Sequence, residues 1–340
     1  MNRFRVGLIG CGAISPLHLE AVSKSSIAEL TAVSDIREER AKAAAEKYGC
    51  NYYTNYKEMI EKESLDSIHI CTPHYLHPVI AVYAAEKGVN VLTEKPMSVT
   101  LEQADEMIEA CKINKVALGV IFQNRYNAGS KLIKKTLESG ELGRILSARM
   151  RVNWYRTSEY YTSSDWKGTW DKEGGGVIIN QAIHTLDLLR WFINSPIEYV
   201  DANISNRFHP EIEVEDCAEG VVKYKNGAIS IFQALNYYSY NAPIDMEIHC
   251  EKGLVKMVAD EAVISFNDGR ELTASRSAMD NSEESGKDYW GIGHAAQIED
   301  FYQSLLKGEK PFIDGEDARK TQALVCAIYQ SGRERKKVNL

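Results

Sequence analysis

Long apolar runs are missing from this sequence, its cysteines fall in no metal-binding or redox spacing, and positive charge is in the minority. A helix crossing a bilayer needs about 20 consecutive apolar residues, and without such a run no membrane partner is expected. The seven cysteines, Cys11, Cys50, Cys71, Cys111, Cys217, Cys250 and Cys326, are odd in number and contain no CxxC pair. That points away from a disulfide framework and from zinc, so no metal is expected. The 40 Lys and Arg are outnumbered by 48 Asp and Glu, for a net charge of −8. Nucleic-acid phosphates call for a basic face, so nucleic acid is not an expected partner either. Met1-Asn2-Arg3-Phe4 runs straight into an apolar strand pattern with no signal-peptide character, and the expected location is the cytoplasm. Internal repeats and low-complexity tracts are absent as well. What remains is an ordinary globular composition, 44% hydrophobic over 340 residues, enough for two domains and a sizeable core.

The most informative stretch is Val6-Gly7-Leu8-Ile9-Gly10-Cys11-Gly12-Ala13-Ile14-Ser15, an apolar run that ends in paired glycines and then turns helical. It reads as a strand feeding a phosphate-binding turn. Gly10 suits a tight turn, Gly12 lacks the Cβ that would hold the chain off a pyrophosphate, and the N–H groups from Ala13 and Ile14 onward would face the phosphates. A second strand, Glu29 to Ser34, ends in Asp35, where a ribose-binding carboxylate belongs. Asp35 would accept from both ribose hydroxyls and repel a 2′-phosphate, favouring NAD over NADP. Arg37 and Arg40 stand close by and pull the other way. A glycine turn without a nucleotide, with Asp35 as a mere helix cap, is the plainer alternative.

From residue 4 to about 121, β-branched runs at 4–9, 30–34, 67–71, 89–93 and 116–121 alternate with helical patterns at 14–24, 37–47, 76–87 and 100–113. This alternation predicts a doubly wound parallel sheet. After Phe122 the pattern changes, placing a domain boundary there: 1–122 and 123–340. The later segment reads as a helix at 128–139, a strand at 145–155, an aromatic stretch at 155–173, and an amphipathic helix at 177–193 led by Gly174-Gly175-Gly176. Hairpins follow at Asn226-Gly227 and Asp268-Gly269. A loop over 277–287 and helices at 294–307 and 316–332 close the chain.

Glu94-Lys95-Pro96 follows the strand ending at Thr93, so Lys95 sits at the carboxyl end of a parallel strand, where ligands bind. On spacing alone it equally fits a surface lysine. Thr72-Pro73-His74 and His77 occupy another strand-end loop and suit a nicotinamide or ribose pocket wall; the flanking prolines argue against an HxxH metal pair. Asn180, His184 and Asp187 lie at i, i+4 and i+7 and would share one face of their helix, beside Gln181. A satisfied core network and an acid–base histidine both fit this pattern. Tyr155, Trp166 and Lys167 offer flat faces and a cation of the kind that hold a sugar, or they plug an interface.

Taken in order, Gly10-Cys11-Gly12, Asp35, Thr72-Pro73, Glu94-Lys95-Pro96 and Gly174-Gly175-Gly176 through His184-Thr185-Leu186-Asp187 resemble the glucose–fructose oxidoreductase, inositol dehydrogenase and MocA family over nearly the whole chain. The resemblance implies an α/β protein: an N-terminal Rossmann domain and a C-terminal α+β domain whose large, open, mainly antiparallel sheet binds substrate and makes a homodimer or homotetramer. It implies hydride transfer between a sugar, glycoside or polyol hydroxyl and NAD(P), with Lys95 polarising the hydroxyl and His184 accepting its proton. Gly10, Gly12, Ala13, Ile14, Asp35, Arg37, Thr72, Pro73, His74, His77, Glu94, Lys95 and Gln123 are then the cofactor contacts. Asn180, Gln181, Tyr155, Trp166, Lys167 and Asp187 are the substrate contacts, with Tyr289 and His294 as reserve candidates for the base. Inositol-type members carry Asp four residues before the histidine, whereas this chain has Asn180, which holds a hydroxyl but cannot relay a proton. An NAD-dependent glycoside-cleaving enzyme and a non-catalytic nucleotide-responsive regulator are the competing readings.

Overall fold

In a computed structural model, residues 3–275 and 293–340 are described. The expected loop at 277–287 and Tyr289 lie outside them. The chain divides into two compact units, residues 1–123 with 293–322, and residues 124–292 with 323–340.

In the first unit, β1 (Phe4–Ile9), β2 (Ala28–Ser34), β3 (Asn51–Tyr53), β4 (Ser67–Ile70), β5 (Asn90–Thr93) and β6 (Leu118–Val120) form one sheet. Its order is β3-β2-β1-β4-β5-β6 and every pairing is parallel. Parallel strands are covered on both faces and so read as continuous apolar runs; Val6, Leu8, Ile9, Ile68 and Ile70 are all buried. The crossovers are α1 (Ser15–Lys24), α2 (Glu38–Tyr48), α3 (Tyr56–Lys62), α4 (His77–Glu86) and α5 (Leu101–Ile113). The short α3 is not anticipated from the sequence because seven residues, about two turns, carry too little periodicity; Asn55 caps it by accepting from the Lys57 N–H.

Along the second unit, α6 (Ala128–Glu138), β7 (Ile145–Asn153), α7 (Ser158–Thr162), a π-helical turn (Val177–Ala182) and α8 (Ile183–Ile193) come first. There follow β8 (Ile197–Ser205), β9 (Cys217–Tyr224), β10 (Ile229–Leu235), β11 (Asp245–Cys250), β12 (Gly253–Val258), β13 (Glu261–Phe266) and β14 (Glu271–Ala274). Its nine-stranded sheet runs β14-β13-β12-β11-β7-β10-β9-β8-β15, with β15 at Val338–Asn339. It is antiparallel except where β7 meets β10. Both glycine hairpins form as expected. Alternation sets the faces: Ala148, Met150 and Val152 are buried on β7, whereas Arg149 and Arg151 lie on the other side with Glu247 and Asp245 of β11.

One boundary needs correcting. The C-terminal portion was expected to be one continuous domain from 123, but 293–322 belongs with the first unit. There α9 (His294–Lys307) packs on α1, and Phe301 and Tyr302 join Val6, Val22 and Leu92 in one core cluster. α10 spans Gly315–Glu334. No helix among the described residues is long and apolar enough to cross a membrane.

Candidate functional site

In the first unit the strand order reverses between β1 and β4, the place where open α/β sheets bind ligands. Gly10 has φ +95, and a Cβ on it would stand 2.7 Å from the Cys71 backbone, so only glycine lets the turn lie against the end of β4. A Cβ on Gly12 would meet open space. Ile14 gives α1 no side-chain cap, Pro16 opens its first turn, and the Ser15 hydroxyl donates back to the Gly12 carbonyl at 2.8 Å. Backbone N–H groups beside open space are what a pyrophosphate needs. Asp35 accepts from the Cys11 N–H and the Arg37 N–H, each at 2.8 Å. A carboxylate has about four lone-pair sites, so this anchoring aims the group and leaves capacity for ribose hydroxyls. The residues present therefore fit a dinucleotide. Arg37 is exposed, while His74 and Gln123 are buried.

Two expected cofactor contacts, His77 and Glu94, are buried and hydrogen-bonded within the first unit. His77 makes 2.8 Å hydrogen bonds through Nε2 to the Thr72 carbonyl and through Nδ1 to the Pro96 carbonyl, tying two strand-end loops together. Glu94 lies at the head of a buried relay. Its Oε1 is 2.9 Å from His18 Nε2 and 3.2 Å from His294 Nε2, and its Oε2 accepts the Lys95 N–H at 3.3 Å. His18 Nδ1 meets His69 Nδ1 at 3.0 Å, and His69 Nε2 meets the Tyr302 hydroxyl at 2.8 Å. An ionised carboxylate only accepts, so His18 carries its hydrogen on Nε2, its Nδ1 accepts a hydrogen bond from the His69 Nδ1–H, and the Tyr302 hydroxyl donates to His69 Nε2. Burial raises the Glu94 carboxyl, but the N–H groups of His18 and His294 outweigh it and hold it well below the usual range. Burial keeps His18 low and His69 well below the usual imidazole value. The donor atoms of His18, Glu94 and His294 lie within 4.8 Å of one another; hydrogen bonds account for that spacing without an ion. His294, a reserve base in the sequence reading, is a partner of Glu94. Only contacts across 76 and 200 residues reveal this role.

The second unit has a pocket lined by Asn124, Trp154, Asn180, Gln181, His184, Thr185 and Ile244. Three of these were expected; Asn124, Trp154, Thr185 and Ile244 carry no sequence signal for the role. The glycine triplet explains the local shape. A Cβ on Gly175 would collide with the Tyr329 hydroxyl and one on Gly176 with the Glu215 carbonyl oxygen. This close approach lets Glu215 accept from the N–H groups of Gly176 (2.9 Å) and Ile178 (3.0 Å) and from the Tyr329 hydroxyl (2.9 Å), satisfying the donors that a helix start leaves open. Burial raises the Glu215 carboxyl to about 7.

The turn that follows is π-helical rather than α-helical, a form that often marks functional sites. Asn180, on the π turn, and His184, on α8, both line the pocket, whereas Asp187 does not. Asp187, an expected substrate ligand, is gripped by Arg125 through Nε at 2.7 Å and a terminal nitrogen at 2.6 Å, with both side chains 1% exposed. Tyr155 is exposed on an isolated bridge to Tyr237, and Lys167 sits over the Tyr160 ring at 3.7 Å. Neither they nor Trp166 line the pocket. Around Asn180 and Gln181 runs a side-chain network that spacing did not reveal. Asn180 Nδ2 donates to Glu173 Oε1 at 2.5 Å and to the Tyr160 hydroxyl at 3.3 Å. Gln181 Nε2 donates to Tyr160 at 3.1 Å and its oxygen accepts from Asn236 at 3.0 Å.

Comparison with known proteins fits this geometry. Residues 4–122 match the model of an oxidoreductase family with an NAD-binding Rossmann fold, and residues 131–256 match the GFO/IDH/MocA C-terminal domain. The myo-inositol 2-dehydrogenase of Thermotoga maritima is 27% identical over 99% of this chain and 98% of its own. The D-apiose dehydrogenase of Paraburkholderia graminis is 26% identical over 100% of this chain and 90% of its own. The WlbA dehydrogenase of Bordetella pertussis, solved with NADH and UDP-GlcNAcA, is 31% identical, covers 100% of this chain and 99% of its own, and superposes with a TM-score of 0.87.

Proposed function

The chain belongs to the GFO/IDH/MocA oxidoreductase family, and on that premise we propose that it is an NAD-dependent dehydrogenase acting on a hydroxyl of a sugar, glycoside or polyol. The observation that carries this reading is one chain holding both the glycine turn with Asp35 and a buried polar pocket around His184. NAD supplies the hydride acceptor. The hydride leaves a carbinol carbon only as the hydroxyl proton departs, so a base and a cation are needed. His184 is assigned the proton and Lys95 the developing alkoxide. Asn180 and Gln181 hold hydroxyls, and Glu94 and His77 steady the backbone at Lys95 and Pro96. Inositol is a weaker candidate than other alcohols because Asn180 stands where inositol-type members carry Asp. The exposed Leu146, Ile231 and Val258 on the second sheet are assigned to contact with another copy in a homodimer or homotetramer.

The test is incubation with NAD and a panel of hexoses, hexosides, uronates, a nucleotide-linked uronate and inositols, read by NADH absorbance. Steady NADH production supports the dehydrogenase. Turnover of a glycoside without net NADH would make it a glycoside-cleaving enzyme, and binding without turnover a regulator. Lys95→Ala and His184→Ala are each expected to remove most of kcat, the double variant little more than the worse single one. Both staying within a few-fold of wild type while NAD binds would refute the assignment.

A further inference from the structure

The π turn and α8, which bring Gln181 and His184 to the pocket, begin at Gly176 with no side-chain cap from the start of the helix itself. The N–H groups that such a start leaves open are taken by residues far along the chain. Glu215, just ahead of β9, accepts from Gly176 on Oε2 at 2.9 Å, from Val177 on its backbone carbonyl at 3.2 Å and from Ile178 on Oε1 at 3.0 Å. The next donor, Ile179, is buried and gives its N–H to the Tyr329 hydroxyl of α10 at 3.1 Å, across 150 residues. Asn180 then reaches back to the Gly176 carbonyl at 3.1 Å. In a regular α-helix Ile179 would donate to the carbonyl of Gly175, four residues back. Here the phenol takes that donor.

Tyr329 and Glu215 act as one fixture within the second unit. The Tyr329 hydroxyl donates to Glu215 Oε1 at 2.9 Å while it accepts from Ile179. Burial, and then the neighbouring carboxylate, hold the phenol well above its ordinary value, so it keeps the hydrogen that it donates. Its ring stands edge-on to Trp170, with centroids 5.3 Å apart. Trp170 is in turn tied through Nε1 to the Glu213 carbonyl at 3.0 Å and covered by the Arg333 guanidinium at 4.1 Å. The glycine triplet makes room for this approach, because a Cβ on Gly175 would collide with the Tyr329 hydroxyl.

We infer that Tyr329 is a positioning residue for the substrate pocket: its hydroxyl, fixed against Glu215, holds the Ile179 N–H and so sets the rotation at which the π turn presents Gln181 and, one turn on, His184. A π turn spans one residue more than an α turn, so a slip between the two forms re-aims every side chain that follows. The inference rests on the reading of the pocket as the substrate site.

Tyr329→Phe keeps the ring against Trp170 and removes only the hydroxyl. It is compared with His184→Ala and with the double variant, using the panel member of highest wild-type kcat/KM, well below each melting temperature. Assays are run at pH 8, above the value of about 7 to which burial raises the Glu215 carboxyl, so that both of its oxygens accept. NADH titration and hydrogen exchange read by mass spectrometry run alongside.

In Y329F, peptides covering 176–184 are expected to exchange at least about tenfold faster than in wild type. Its kcat is expected to fall about ten- to a hundredfold, the cost of misplacing a reacting group by about 1 Å, with NADH affinity within about twofold. Because Tyr329 acts through His184, adding Y329F to H184A is expected to change kcat by less than about threefold. A tyrosine that only stabilises the fold would lower the melting temperature and leave kcat alone. Unchanged exchange or kcat within about threefold in Y329F, or the same further loss in the double variant as in Y329F alone, overturns the inference. Trp170→Leu loosens the ring and leaves the hydroxyl, and is expected to speed the same exchange by a smaller factor; should Y329F not fold, unchanged exchange in W170L overturns the inference. If H184A retains its rate, the pocket reading fails, and the exchange of 176–184 still decides whether Tyr329 holds the turn.

Discussion

Asp187 was expected to touch substrate, and its geometry makes the opposite prediction testable. It lies on α8 with both oxygens held by Arg125, whose guanidinium also sits 5.2 Å from the Trp191 ring centroid, and Arg190 adds a longer contact at 3.4 Å. Asp187→Asn keeps the shape and removes the charge. That takes the Asp187 charge away from a guanidinium 1% exposed, with the positive Arg190 nearby. Breaking one side of a buried pair costs about 3–5 kcal/mol. In a domain of roughly 150–250 residues each kcal/mol moves the melting temperature by about 2–4 °C, so the variant is expected to melt about 6–20 °C lower. Differential scanning calorimetry reads this directly. Replacing both partners, Arg125→Met with Asp187→Leu, removes the desolvation cost together with the attraction and is expected to recover much of the loss. A shift below 2 °C in Asp187→Asn, or a double variant as unstable as the single, would refute the structural assignment. A raised KM with an unchanged melting temperature would return Asp187 to the substrate.

Asp35→Ser is expected to weaken NAD and improve NADP binding, because a carboxylate beside a 2′-phosphate costs about 1 kcal/mol or more, roughly fivefold in affinity. Isothermal titration that shows wild type binding both cofactors equally would remove Asp35 from that role. Glu215 predicts a pH effect on stability. Its folded-state value of about 7 exceeds the 4.5 of the exposed group, so the folded chain holds this proton more tightly and the stability it contributes is lost as pH rises from 4.5 through 7. Glu215→Gln cannot titrate, and its melting temperature should fall less between pH 5 and pH 8 than that of wild type; equal slopes would count against the assignment.

The features legible in the sequence are those written in neighbouring residues. The strand and helix alternation to residue 121, the turn at Gly10 and Gly12, Asp35 at the end of β2 and the hairpins at Asn226-Gly227 and Asp268-Gly269 follow from periodicity and turn stereochemistry, and local steric rules operate before any tertiary contact forms. The parallel pairing of β7 with β10 and the assignment of 293–322 to the first unit depend on which apolar faces find one another, and periodicity does not name a partner. The same holds for roles. Glu94 is held by His18 and His294, 76 and 200 residues away, and both oxygens of Asp187 by Arg125, 62 residues away, and spacing announced none of these partners. Even Glu173, seven residues from Asn180, needed the glycine triplet pressed against Glu215 and Tyr329 and the π turn that follows it. Sequence spacing determines which polar groups exist and on which element they ride. The tertiary fold decides which of them are buried together, and burial makes each one take a specific hydrogen-bond partner and so a specific role.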